Sequence, residues 1–225
     1  MSLSFYEKRF DEILNSIEKA RLRVDQHQII KIVAISKSVG SPEIEALYDI
    51  GQRAFGENRV QDLSEKYNIL ENLPIEWHFV GRLQTNKINR LLEMNPALIH
   101  SCDSYEMAIE IDKRASVAQK KANVLLQINS AKEPQKAGVM PELGIETYDK
   151  ISSTCKNLNL KGVMSIGAHT QDIDVIKKSF EVTHKIFEAL KPKGAKYCSM
   201  GMSGDYELAI ECGSNMLRLG TILFR

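Results

Sequence analysis

Eight short apolar runs recur along the whole chain, each followed by a stretch with helical spacing, and this alternation restricts the fold more than any other feature. The runs lie at 32–37, 53–56, 77–81, 97–100, 124–128, 160–166, 197–200 and 216–219. Each is too short for a stable helix, and several are apolar on both faces, as strands of a helix-covered parallel sheet are. Helical patterns fill the intervals at 42–51, from 59, at 86–94, 104–121, up to 155, at 173–190 and at 206–212. An irregular stretch from Asn129 to Pro141 stands between the fifth run and its helix. Alternation of this kind predicts right-handed crossovers in a parallel sheet. Eight units in 225 residues fit a closed (β/α)8 TIM-like barrel better than an open sheet. No GxGxxG follows the first run, which weakens the dinucleotide-binding alternative.

A single domain over residues 1–225 is expected, because no linker, repeat or composition break interrupts the pattern. Phe10, Ile13, Leu14, Ile17, Arg21 and Val24 form a stripe on an additional N-terminal helix, for which Ser4 and Glu7 are a candidate capping box. This helix should fill the gap between strands eight and one. Only five residues follow Gly220, so a closing helix after the eighth strand is not expected.

Composition excludes several classes of function. Thirty Lys and Arg residues against 29 Asp and Glu residues, without a basic block, argue against nucleic acid or an anionic membrane as partner. Cys102, Cys155, Cys198 and Cys212 form no CxxC pair and no zinc spacing with histidine, so they read as reduced thiols and no metal is expected. No run reaches membrane-spanning length and no signal core opens the chain, so a cytoplasmic location is expected.

Active-site groups of such barrels sit at the C-terminal ends of strands. Here those ends carry Lys37, Asn58, His78 with Gly81, Ser101, Asn129, Ser165 with Gly167, Ser203, and Gly220 with Thr221. Strand period two places Val33, Ile35 and Lys37 on one face, so Lys37 is expected to point inward among apolar neighbours as a Schiff-base former. The bland alternative is a lysine that meets water at the end of its strand. Arg218 lies inside the last strand on the face of Met216 and Gly220, where a structural ion pair is the competing explanation. The glycine-rich turns 199–204 and 220–221 stand where barrels commonly hold a phosphate. His78, between Trp77 and Phe79, reads as an acid/base candidate or as a hydrogen-bonded packing residue. No two strand ends carry paired carboxylates, which argues against glycosidase chemistry.

A lysine nucleophile, a phosphate cradle and an arginine aimed at a ring nitrogen are the parts of a pyridoxal 5'-phosphate (PLP) site. The runs Ile32–Lys37, Phe55–Asn58, Trp77–Lys87, Gly162–Gly167, Ser199–Ser203 and Arg218–Thr221 also resemble the pyridoxal-phosphate homeostasis proteins, the YggS/PROSC/PLPBP family. That family looks like the barrel domain of alanine racemase standing alone. The resemblance implies PLP bound covalently at Lys37, with Arg218 facing the pyridine nitrogen and Ser203, Gly220 and Thr221 on the phosphate. Asn58, His78 and Ser165 would complete the pocket. It further implies PLP storage and delivery, with transient contact to apo PLP enzymes, rather than catalysis; a monomer is expected. A PLP-dependent racemase or decarboxylase is the enzymatic alternative, and a class I aldolase with its own lysine shares the phosphate cradle.

Overall fold

Alternate residues of the first strand, β1 (Lys31–Ile35), belong to two different cores. Val33 and Ile35 pack inside the barrel with Ala54, Leu98, Leu125, Met164 and Met216, whereas Ala34 joins Phe55, Leu217 and Leu219 beneath the helices. The same division runs around β2 (Ala54–Glu57), β3 (Glu76–Phe79), β4 (Leu98–Cys102), β5 (Ala122–Ile128), β6 (Leu158–Ser165), β7 (Tyr197–Ser199) and β8 (Met216–Leu219). In the computed structural model, which describes residues 3–225, these strands pair in sequence order and β8 closes on β1. All pairings are parallel. The fold is therefore the (β/α)8 barrel that the alternation predicts.

The helices are α1 (Leu3–Leu22), α2 (Ser41–Asp49), α3 (Val60–Ile69), α4 (Ile88–Glu93), α5 (Tyr105–Val117), α6 (Gly144–Thr154), α7 (Ile173–Leu190), α8 (Tyr206–Glu211) and α9 (Thr221–Phe224). The last is a correction: the few residues after β8 make one helical turn, which buries Leu223 and Phe224. α1 packs on α8, α9 and α2, covering the seam between β8 and β1 as expected. Its buried face is Tyr6, Ile13, Ile17 and Ala20; Leu14 and Val24 are exposed, and Ser4 lies within the helix rather than at its cap. Tyr206 Oη donates to Ser16 Oγ at 2.9 Å, tying α8 to α1.

One irregularity sets the inward face of β6. Val124 pairs with Leu160 but Leu126 pairs with Val163, so β6 carries an extra residue there. Gly162 sits at the bulge with φ +139°, and a Cβ on it would stand 2.0 Å from Tyr197 O. Beyond the bulge Met164 faces the barrel interior and Val163 faces the helices. The long connection after β5 is pinned from within: Asn129 Nδ2 donates to Glu133 O and Lys136 O, and Gln127 Nε2 donates to Ala137 O.

Candidate functional site

Lys37 leaves β1 in a turn at the C-terminal mouth of the barrel. Its side chain is exposed and borders a cleft between α2 and α3, together with Glu45, Asp62, Glu65 and Lys66. The expectation of a desolvated, inward-pointing lysine is thus corrected: the strand ends at Ile35, and the turn frees Lys37 from the strand's alternation. What the structure fixes instead is the residue before it. Ser36 is fully buried; its hydroxyl donates to Glu57 Oε1 at 2.7 Å, and its carbonyl accepts from Lys66 Nζ at 2.8 Å. Lys66 Nζ also reaches Glu57 Oε1 at 2.6 Å. A buried ion pair on the outer side of β2 therefore holds the root of Lys37.

The strand beside β1 brings the anion-binding groups to the same mouth. Gly220 follows β8 directly, and a Cβ on it would stand 3.3 Å from Ile35 O, two residues before Lys37. Ser203 Oγ accepts from Gly220 N at 3.2 Å and from Ile222 N at 3.4 Å, and Thr221 is exposed between them. Two backbone amides thus hold Ser203 Oγ at the start of the terminal turn and leave its proton free, beside the exposed Thr221 hydroxyl, as donors that suit a phosphate. Asn58 leaves β2 level with Lys37, since Ile35 is opposite Gly56, but it borders a separate cavity of about 1000 Å³ shared with Arg82, Thr85, Lys87 and Glu106.

Arg218 is buried at the inward face of β8, opposite Val33. Its guanidinium forms no ion pair among the described residues. Nη1 donates to Ser199 O at 2.8 Å and Ser199 Oγ at 2.7 Å, and Nη2 donates to Ser165 O at 2.8 Å. Three of its five N–H donors are committed and two remain. Burial lowers its pKa to about 10, so it stays a cation at neutral pH.

Two sequence expectations are corrected by this network. Ser165 faces outward, because the period that turns Met164 inward turns its neighbour away; its hydroxyl accepts from Thr183 Oγ1 at 2.8 Å and only its carbonyl meets Arg218. His78 lies deep in the barrel rather than at the mouth with Lys37. Its Nδ1 is 2.9 Å from His100 Nε2, and His100 Nδ1 is 3.4 Å from Ser199 Oγ. Burial lowers the pKa of His78 and takes that of His100 well below the ordinary histidine value. Glu76 Oε1 stands 3.5 Å from His78 Nε2 at the opposite end of the barrel.

The direction of this chain follows from its ends. Arg218 only donates and the Glu76 carboxylate only accepts. Ser199 Oγ accepts from Arg218, so its own proton is available to His100 Nδ1. His100 then carries its proton on Nε2 and gives it to His78 Nδ1, and His78 carries its proton on Nε2. Sequence reasoning assigns no role to His100, Glu57 or Lys66 and reads Ser199 only as the start of a phosphate-binding turn. Period two marked His100 and Ser199, which share an inward face with Leu98 and Tyr197; nothing local marked Lys66.

Comparison with known proteins decides the family. The alanine racemase N-terminal domain family matches residues 9–225. A pyridoxal phosphate homeostasis protein of Helicobacter pylori is 53% identical over 220 residues, covering 98% of each chain. The chain belongs to the pyridoxal phosphate homeostasis protein family. Among solved structures, a protein from Bifidobacterium adolescentis superposes with a TM-score of 0.92 at 31% identity, covering 99% of this chain and 95% of that one. PipY of Synechococcus elongatus, solved with PLP bound, gives 0.83 at 28% identity, over 98% of this chain and all of that one. Membership of the pyridoxal phosphate homeostasis protein family agrees with the resemblance carried by the sequence motifs.

Proposed function

We propose that this protein binds PLP at the C-terminal mouth of the barrel and passes it to PLP-dependent enzymes without turning over a substrate. The PLP-bound relative and the family's name support the cofactor, and the residues at the mouth suit it. Lys37 carries an amine with no ion pair or hydrogen bond among the described residues, free to form a Schiff base with the aldehyde. Ser203 and Thr221 supply hydroxyls for the phosphate, and the Gly220 amide holds Ser203 Oγ in place. The two uncommitted donors of Arg218 suit the lone pair of the pyridine nitrogen. Bound PLP supplies an electron-withdrawing ring, and the protein decides how strongly it withdraws.

Arg218 is the observation that carries the non-catalytic reading. A cation held by Ser199 and Ser165 beside the ring nitrogen disfavours protonation there, so carbanion formation at an amino acid is poorly supported. A carboxylate in that position would have the opposite effect. Among the described residues no helix is long and apolar enough to cross a membrane. A cytoplasmic monomer that meets apo-enzymes transiently completes the proposal.

The test combines attachment and chemistry. Borohydride reduction of the PLP-loaded protein should label Lys37, and Lys37→Ala should remove both the label and the absorbance of the Schiff base. Label on Lys66 or Lys87 instead would refute the attachment. Deuterium wash-in at Cα across the common amino acids should match free PLP, while the loaded protein restores an apo-enzyme's activity. Fast exchange that depends on Lys37 would make the protein a racemase or decarboxylase.

A further inference from the structure

The N-terminal mouth of the barrel carries a second convergence of polar groups, opposite the face of Lys37 and Ser203. A cavity of about 270 Å³ opens there among Lys31, Glu76, His78, Lys161, Lys196 and Tyr197. Lys31 and Glu76 form an ion pair and neutralise each other. The ammonium groups of Lys161 and Lys196 and the hydroxyl of Tyr197 have no ion pair or hydrogen bond among the described residues. Three lysines against one glutamate leave this lining at +2.

The inner wall is His78 Nε2, a fully buried atom without a well-formed hydrogen bond. The chain that runs from Arg218 to Glu76 makes this nitrogen a donor, aimed at Glu76 Oε1 at 3.5 Å. Three donors therefore face one small cavity, two ammonium groups and a phenol, with the imidazole N–H of His78 buried behind them. The remaining polar lining residue, Asn123, is already committed to Ala97 O and to Asn159.

We infer that this cavity binds a small oxyanion, a phosphate or carboxylate group, between Lys161 and Lys196 beside the Tyr197 hydroxyl, and that the His78 imidazole behind it senses the bound charge. A doubly charged anion balances the lining, so inorganic phosphate should bind more tightly than acetate. This site lies at the far end of the hydrogen-bond chain from Arg218 and does not depend on PLP being the ligand of the other mouth.

The experiment follows the histidine ring nitrogens of the ¹⁵N-labelled full chain by NMR at pH 7.5. Sodium phosphate and sodium acetate are titrated in separate arms at ionic strength held constant with sodium chloride. The expected result is a His78 with its proton on Nε2, whose resonance moves saturably with phosphate and less readily with acetate. Lys161→Gln with Lys196→Gln should weaken phosphate about tenfold or more, since each charge-assisted bond lost is worth at least about that factor. Lys196 is exposed and Lys161 half-buried, and an unchanged backbone spectrum would show the variant folded. Ser203→Ala should leave the His78 titration unmoved, which separates this site from phosphate bound at the opposite mouth. A proton on Nδ1, a shift reproduced by chloride, or a titration unaffected by the double variant would overturn the site.

Discussion

Glu57 is buried completely, yet only one of its carboxylate oxygens has partners, and both partners hold the turn before Lys37. Such a pair gives little net stability as a unit, but removing one member strands the other. Glu57→Gln should therefore cost about 3–5 kcal/mol, read as a lowered urea midpoint at unchanged m-value. In the same variant, Lys37 should react faster with an amine-directed reagent, because its turn has lost an anchor. A loss under about 1 kcal/mol would mean the network is incidental. Arg218 is the second decisive residue. Lysine cannot span Ser165 O and both oxygens of Ser199, so Arg218→Lys should weaken PLP and alter its absorbance even where the fold survives.

At the scale of elements, two connections shape the C-terminal mouth. A Cβ on Gly81, just after β3, would stand 1.9 Å from Asn58 O, so this loop lies directly on the backbone after β2. Both atoms in the clash belong to main chain and neither can swing aside. Gly81→Ala should destabilise the protein by about 1–3 kcal/mol or more, whereas Gly204→Ala, with nothing within 4 Å, should be close to neutral by thermal melting. The second connection is the turn from β8 into α9, where Ser203 meets the amides of Gly220 and Ile222. Pyridoxal lacks the phosphate that the Ser203 and Thr221 hydroxyls suit and should bind at least about tenfold more weakly than PLP, each charge-assisted bond being worth about 1.5–3 kcal/mol. Equal affinities in a fluorescence titration would remove the cradle from the proposal.

For the molecule as a whole, the neutral histidines inside the barrel govern acid stability. Both have folded-state pKa values below the unfolded value of about 6.5, by burial first. Below that pH the unfolded chain takes up protons that the barrel refuses, so stability is complete above about 6.5 and declines as pH falls. The slope should approach about 1.4 kcal/mol per pH unit for each histidine. Glu76, which His78 and Lys31 hold down to about 2, adds a second loss beginning near pH 4.5 and extending toward 2. Urea melts at pH 8, 6.5 and 5 should show the decline, and His100→Asn should flatten it in proportion to the histidine removed. A flat wild-type profile over this range would show that the histidines are protonated in the folded barrel.

The number of strands, their parallel order and the N-terminal helix were legible in the sequence because they follow from periodicity and length, which are local properties. Residues placed by period on an unbroken strand, such as Val33, Ile35 and Arg218, also came out as read. The misreadings share a cause. Period two, carried past the end of β1, aims Lys37 inward, and a place at a strand end puts Ser165 at the site, but a turn releases the one and the bulge at Gly162 resets the alternation that turns the other outward. Sequence neighbours suggest packing for His78, whereas Glu76 shares its face by period two within β3 and His100 meets it only through the pairing of strands around the barrel. The pairing of Lys66 with Glu57 needs α3 to pack back on β2, and the chain from Arg218 to His78 exists only once eight strands are closed around a common axis. Sequence spacing determined which residues could face inward; the tertiary structure alone decided which of them meet, because contacts across a barrel depend on strand register and on the bulge that shifts it.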